Sequence, residues 1–322
     1  MAGANLPAKK YQHSSPTITR LSFEMSGNET RFISIAKALS VINRKFYRAG
    51  VYYYVNSVEV YNDGVGVLDM HTLPDNWITK NAHARAFKLY QKMNALPQEA
   101  GASGYRGKYH DFKVYMSNQH RVSGDSNPSL YDINTQHHTF QADNWDYSQF
   151  VSADDNQDGS GDADEFVVHM IGDHINASGG NSAISSGWAS IGLIKSYQES
   201  RAMVQAGPLL DSDLPSDPLI NVFDFSSEEQ MNDILENLDQ HNDAPPYDQD
   251  NMIGIGQSSM QHVARLGLEA GAGRVARAAG FCAPLGLICI DPSENGQNMG
   301  DYRVVLNLAV GTYHGVYAER AF

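Results

Sequence analysis

Apolar residues recur along this chain with two different periods, and the change at Gly50 is the first guide to its fold. Phe32, Ile35, Ala36, Leu39 and Ile42 fall at helical spacing, which predicts a helix from Glu29 to Phe46 capped by Asn28. After Gly50 the period drops to two. Val51–Tyr61 and Val65–Leu73 read as strands, and Asn62-Asp63-Gly64 between them is a hairpin signal. Asp75 or Asn76 can cap a second helix running to Asn94, with Ile78, Ala82, Ala86, Leu89 and Met93 on its apolar side. Further strands are predicted at Tyr109–Met116, Glu165–Ile171, Trp188–Tyr197, Leu219–Phe223, Phe281–Ile290 and Tyr302–Tyr317. The capping box Ser226-Ser227-Glu228-Glu229 predicts a third helix from Ser227 to Leu238.

Between these segments lie long polar excursions at 117–148, 172–187, 198–217 and 240–258, a length that compact domains rarely keep without a task. No repeat and no clean linker is visible. The expectation is therefore a short N-terminal arm, residues 1–20, and one elaborated β domain over 21–322 with long loop insertions. A chain of 322 residues, 42% hydrophobic, can bury a core of that size. No run approaches a membrane span or a signal peptide, which predicts a soluble protein made without a secretion signal. Cys282 and Cys289 read as buried thiols, not as a disulfide or half of a zinc site.

Charge is divided unevenly. Residues 1–121 carry 16 Lys/Arg against 8 Asp/Glu, residues 122–250 carry 2 against 24, and residues 251–322 carry 5 against 5. The basic first third suits a polyanion, and the acidic region 122–250 suits hydration or a cation; both also fit plain solvated faces. Within the acidic region, Asp154 to Glu165 matches the calcium-loop pattern D-x-[DN]-x-[DN]-G-x5-E. Asp154, Asn156, Asp158, the Ser160 carbonyl, Asp162 and a bidentate Glu165 would surround one calcium ion, with Gly159 at the turn. An acidic surface turn is the alternative. Gly161 at the eighth loop position and the β-branched exit Phe166–Ile171 argue against a paired EF-hand.

Catalytic signatures are lacking. His137-His138 and the His169/His174 pair do not have zincin spacing, Gly267–Gly273 lacks the dinucleotide fingerprint, and there is no Walker A sequence or nucleophile elbow. The expectation is a protein that is not an enzyme.

The succession Ser34–Arg48, the Tyr-rich strand that follows, Pro74–Met93 and Gly107–Tyr115 resembles capsid proteins of environmental small circular single-stranded DNA viruses. The likeness covers about the first 115 residues, and Phe281–Ile290 with Tyr302–Phe322 more loosely. It implies an antiparallel jelly-roll sandwich with long loops and a few short helices, self-assembling into an icosahedral shell in the virion around a small single-stranded genome. The partners implied are copies of this chain and non-specifically packaged nucleic acid, with no membrane. Many such capsids carry an Arg-rich arm, whereas residues 1–20 offer only Lys9, Lys10 and Arg20. Arg44, Lys45 and Arg48, together with Arg85, Lys88 and Lys92, are the expected nucleic-acid-facing residues. Two other classes remain open. One is a calcium-dependent carbohydrate-binding β sandwich stacking sugars on Trp145 and Tyr147; the other is a hydrolase using carboxylates of the middle third.

Overall fold

The computed structural model describes residues 17–62, 65–99, 109–131, 137–152, 164–176, 188–200, 260–268, 275–293 and 300–320. Its frame is a pair of antiparallel sheets of four long strands each, one of them extended by a fifth, short strand. In chain order the contributing strands are β1 (Arg20–Ser26), β2 (Arg31–Ser34), β3 (Val51–Asn62), β4 (Gly66–Thr72), β12 (Gln261–Leu268), β13 (Val275–Ala283), β14 (Leu287–Ser293) and β15 (Asp301–Leu308). One sheet runs β1-β15-β3-β13 and the other β12-β4-β14-β2. The first of these strands pairs with the eighth, the second with the seventh, the third with the sixth and the fourth with the fifth. That is one long antiparallel hairpin rolled on itself, and the β15·β3 and β14·β4 pairings complete the sheets. The fold is a jelly roll.

Period-two burial drives the sandwich. Leu21, Phe23 and Met25 of β1, Val58 and Val60 of β3, Leu68 and Met70 of β4, Ile288 and Ile290 of β14, and Val304 and Leu306 of β15 share one core. Each fully buried side chain of this size contributes about 1.5–3 kcal/mol. The second sheet is buried on both faces. Phe32, Leu287 and Cys289 point away from the sandwich into a second core with Leu73, Ala82, Ala86, Phe112, Met116 and Met170. This double burial explains why β14 reads as a nearly continuous apolar run.

The second core lies under an insertion between β4 and β12. It contains α2 (Trp77–Glu99), β5 (Tyr115–Ser117), α3 (Asn118–Ser123), β6 (Ser129–Tyr131), β7 (His137–Thr139), β8 (Gln149–Ser152), β9 (Asp164–Ile171), β10 (Ile175–Asn176), β11 (Trp188–Gly192) and α4 (Leu193–Glu199). Strands β10, β11, β9 and β5 form a small sheet in which β11 and β5 run parallel to β9, while β8 pairs with β9 antiparallel. Short strands β16 (Val310–Tyr313) and β17 (Ala318–Arg320) close the chain, β17 pairing with β3.

Several local expectations need correction. The first helix, α1, covers only Ile35–Asn43, capped by Ser34 and not Asn28; Arg31–Ser34 is drawn into β2 because Ile33 and Phe32 fill opposite cores. It stops where Arg44 turns left-handed at φ 50°. The strands flanking Asn62-Asp63-Gly64 do not form a hairpin, since β3 and β4 belong to different sheets. Phe281–Ile290 is two strands of different sheets, split by a 3-10 turn at Pro284–Gly286. Gly286 is required there: its φ is +67°, and a Cβ would lie 2.8 Å from the Tyr53 ring. Trp188–Tyr197 changes to helix after Gly192, Tyr109–Met116 narrows to a strand at Tyr115–Ser117, and Tyr302–Tyr317 breaks after Leu308. Helix α2 forms, with Asn76 as its cap, Oδ1 accepting from Thr79 N at 2.9 Å, but it runs to Glu99 instead of Asn94 and Leu89 is exposed instead of lying on the apolar side. Leu219–Phe223 and Ser227–Leu238 lie outside the described residues.

Candidate functional site

The interior between the two sheets is filled by aliphatic and aromatic side chains, so ligand chemistry falls to the outer surfaces and the insertion. Among the described residues, an open cleft of about 1050 Å³ lies on the surface of the insertion. Its walls come from four segments remote in sequence: the end of α1 with Arg44, Lys45 and Phe46, the α2 residues Tyr90, Met93 and Asn94, the stretch Tyr109–Lys113, and residues 140–149. Phe46 is the hinge of its aromatic surface, with ring centres 5.8 Å from Tyr109 and 6.4 Å from Trp145. Tyr109 is 60% exposed. The Lys113 ammonium lies 4.3 Å from the centre of the Trp145 ring. Burial lowers the Lys113 pKa, while Asp111 and Asp146 pull it back up. Asp111 is also held in place, accepting from Ala49 N at 2.7 Å.

Behind this cleft sits a closed polar node. Asp125 Oδ1 accepts from His120 Nε2 at 2.7 Å and from the Tyr147 hydroxyl at 2.7 Å, while Oδ2 accepts from Lys37 Nζ at 3.2 Å. The backbone N–H of Met116 donates to His120 Nδ1, which places the ring proton on Nε2. Burial by itself would raise the Asp125 carboxyl, but the bonds from His120, Lys37 and Tyr147 hold it below the usual range. The His120 ring stacks on Phe32 at 4.7 Å, and Tyr147 on Tyr115 at 3.7 Å. Asp125 and His120 side chains are 2% and 0% exposed, so the node ties α1, α3 and the 140–149 loop together without offering a group to a substrate. His169 is likewise enclosed: Nε2 donates to the Asp173 carbonyl at 3.0 Å and Nδ1 accepts from Ser190 Oγ at 2.6 Å.

The predicted site residues are distributed over several surfaces. Arg44 and Lys45 border the cleft, whereas exposed Arg48 does not. Arg85, Lys88 and Lys92 are exposed on one side of α2, about half a turn from the cleft-lining Tyr90, Met93 and Asn94. Arg85 also donates to the Ser196 carbonyl at 3.3 Å. The two basic groups therefore do not merge. Of the calcium pattern, Asp154, Asn156, Asp158, Ser160 and Asp162 lie outside the described residues; Glu165 is exposed on β9 opposite Val151. Ser152 of β8 pairs with Asp164 of β9, so strands flank the pattern on both sides. Trp145 and Tyr147 both line the cleft, one face of the Tyr147 ring being stacked on Tyr115 and its hydroxyl bound to Asp125. Sequence reasoning missed Phe46, Tyr109 and Lys113 as neighbours of Trp145, since no local spacing links them.

Both cysteines are free thiols; burial pushes Cys282 up to about 11 and Cys289 higher still. Among the described residues, no group of three or more His, Cys, Asp or Glu is arranged to hold a metal ion, and no helix is long and apolar enough to cross a membrane. No known protein family, curated protein or solved structure matches the chain.

Proposed function

We propose that this chain is a viral capsid subunit that assembles with copies of itself into a closed icosahedral shell around a small single-stranded genome. The observation that carries this reading is the rolled-hairpin pairing of eight strands around a solid apolar interior. Among the uses of this architecture are capsids, lectins and cupins. A filled interior favours function at outer surfaces over a pocket inside the barrel. The enclosed state of the His120–Asp125 and His169–Ser190 groups likewise favours a structural over a catalytic role.

In this reading α2 supplies the main contact with phosphate. From Trp77 to Gln98 it carries Lys80, Arg85, Lys88 and Lys92 and no acidic residue, a sequence-independent match to a nucleic-acid backbone. Arg44, Lys45 and Arg48 provide a second basic surface. Calcium in the Asp154–Glu165 segment offsets repulsion between acidic neighbours.

Negative-stain electron microscopy of the purified full chain, with calcium and with a chelator, tests the assembly. Uniform closed shells are expected, and discrete small particles in both conditions would overturn the reading. Replacing Arg85, Lys88 and Lys92 together by Gln is expected to leave shells intact and lower their nucleic-acid content, read from the 260/280 nm absorbance ratio. Unchanged content would remove α2 from the genome interface.

A further inference from the structure

The cleft between α1, α2 and the 140–149 loop has a composition that genome packaging does not use. Its formal charges balance, Arg44, Lys45 and Lys113 standing against Asp111, Asp143 and Asp146. A polyanion gains no net attraction in such a place. The remaining polar lining includes four amides, Asn94, Gln141, Asn144 and Gln149, which both donate and accept. Beside them the Phe46 ring stands 5.8 Å from Tyr109 and 6.4 Å from Trp145, with Tyr109 largely open to solvent.

We propose that this cleft binds a neutral oligosaccharide. A pyranose ring presents an apolar C–H face and a rim of hydroxyls, and the two halves of the cleft match those two surfaces. Tyr109 takes the C–H face, with Phe46 behind it fixing its position. Asp143, Asn94 and Asn144 exchange hydrogen bonds with the hydroxyl rim; exposed Asp143 accepts from a pair of adjacent hydroxyls, as an ionised carboxylate can. A volume of about 1050 Å³ has room for several sugar units. No lining residue belongs to the Asp154–Glu165 segment, so binding does not depend on calcium. The inference does not rest on shell assembly, and single subunits bind as well as assembled ones.

The test is a titration of the full chain with cellohexaose, maltohexaose, chitohexaose and a poly-N-acetyllactosamine hexasaccharide. Binding is followed by saturation-transfer NMR and tryptophan fluorescence, with and without chelator, and oligo-dT12 serves as the polyanionic comparison. At least one neutral sugar is expected to bind, unaffected by chelator. Tyr109→Ala should weaken it by about tenfold, the loss of one aromatic contact. Asp143→Asn, a surface change that leaves folding alone, should weaken it as well. The proposal is overturned if none of the four sugars binds below roughly 10 mM, if neither variant changes the affinity, or if oligo-dT12 binds and is displaced by none of them.

Discussion

Asn43 holds Ile18 by both of its backbone groups: Oδ1 accepts from Ile18 N at 2.7 Å, and Nδ2 donates to Ile18 O at 3.0 Å. A side-chain amide thus acts as a one-residue strand partner at the point where the chain enters β1. Because Asn43 is the last residue of α1, the start of β1 is fixed next to Arg44 and Lys45. Asn43→Ala removes both bonds, and the half-buried site should lose about 1–2 kcal/mol. Asn43→Asp keeps the acceptor only and should fall between. Chemical-denaturation midpoints of the three proteins check the order.

Asp125 joins Lys37, His120 and Tyr147 out of reach of water. Asp125→Ala leaves a buried ammonium and two buried donors without their acceptor, and should cost about 3–5 kcal/mol. Its folded pKa is depressed, so its contribution is present above the ordinary carboxyl value near 4 and is lost as pH falls through the lower folded value. The wild-type protein should therefore lose stability steeply below about pH 4, and Asp125→Asn should show a shallower acid limb. Parallel urea melts between pH 2 and pH 6 measure the difference.

His169 is buried neutral, its pKa lowered to about 4 by desolvation and opposed by its bond to the Asp173 carbonyl. The unfolded chain protonates near 6.5 while the folded one does not. Stability is therefore full above pH 6.5 and falls from there to about pH 4, by about 3 kcal/mol from this residue. His83, lowered to about 3 by burial, adds a loss of the same sign. His169→Gln should flatten the pH 4–6.5 limb even if it lowers stability at pH 7. An unchanged slope in that variant would show that His169 is not the titrating group.

If the Asp154–Glu165 connection holds calcium, isothermal titration of chelator-stripped protein should report one site per chain, with Kd between about 1 µM and 1 mM. Calcium at about a hundred times Kd would add about 2.7 kcal/mol of stability. Glu165→Gln and Asp158→Asn should each abolish the heat. An absence of heat with the wild-type chain would make the segment an acidic surface turn.

The β-rich class was legible where a strand alternates, as in Tyr302-Val304-Leu306, because side-chain period is a local property; the jelly roll itself came from the resemblance, and the alternation Leu21-Phe23-Met25 of β1 went unread. Helix α2 was legible from its helical period, with Asn76 one of two candidate caps, although it runs on to Glu99 and Leu89 faces solvent. What failed were signals that depend on the choice of partner. Asn62-Asp63-Gly64 looks like a hairpin turn, yet the edges of β3 and β4 are claimed by β13, β15, β12 and β14, which no local pattern announces. Phe32 and Ile33 fit a helical stripe on paper, but two cores on opposite sides of one sheet draw them into β2.

Composition and spacing by themselves determined that this chain makes strands with alternating faces, a basic α2 and an acidic middle third, and that it carries no known catalytic signature. Tertiary structure alone decided which strands pair, that Asp125 is a buried anchor and not a surface acid, and that Phe46, Tyr109 and Trp145 share a cleft. The physical reason is range. Periodicity and capping act over a few residues, whereas pairing, burial and cleft formation are settled by competition among segments far apart in the chain, as in the β1·β15 ladder that pairs Arg20 with Asn307.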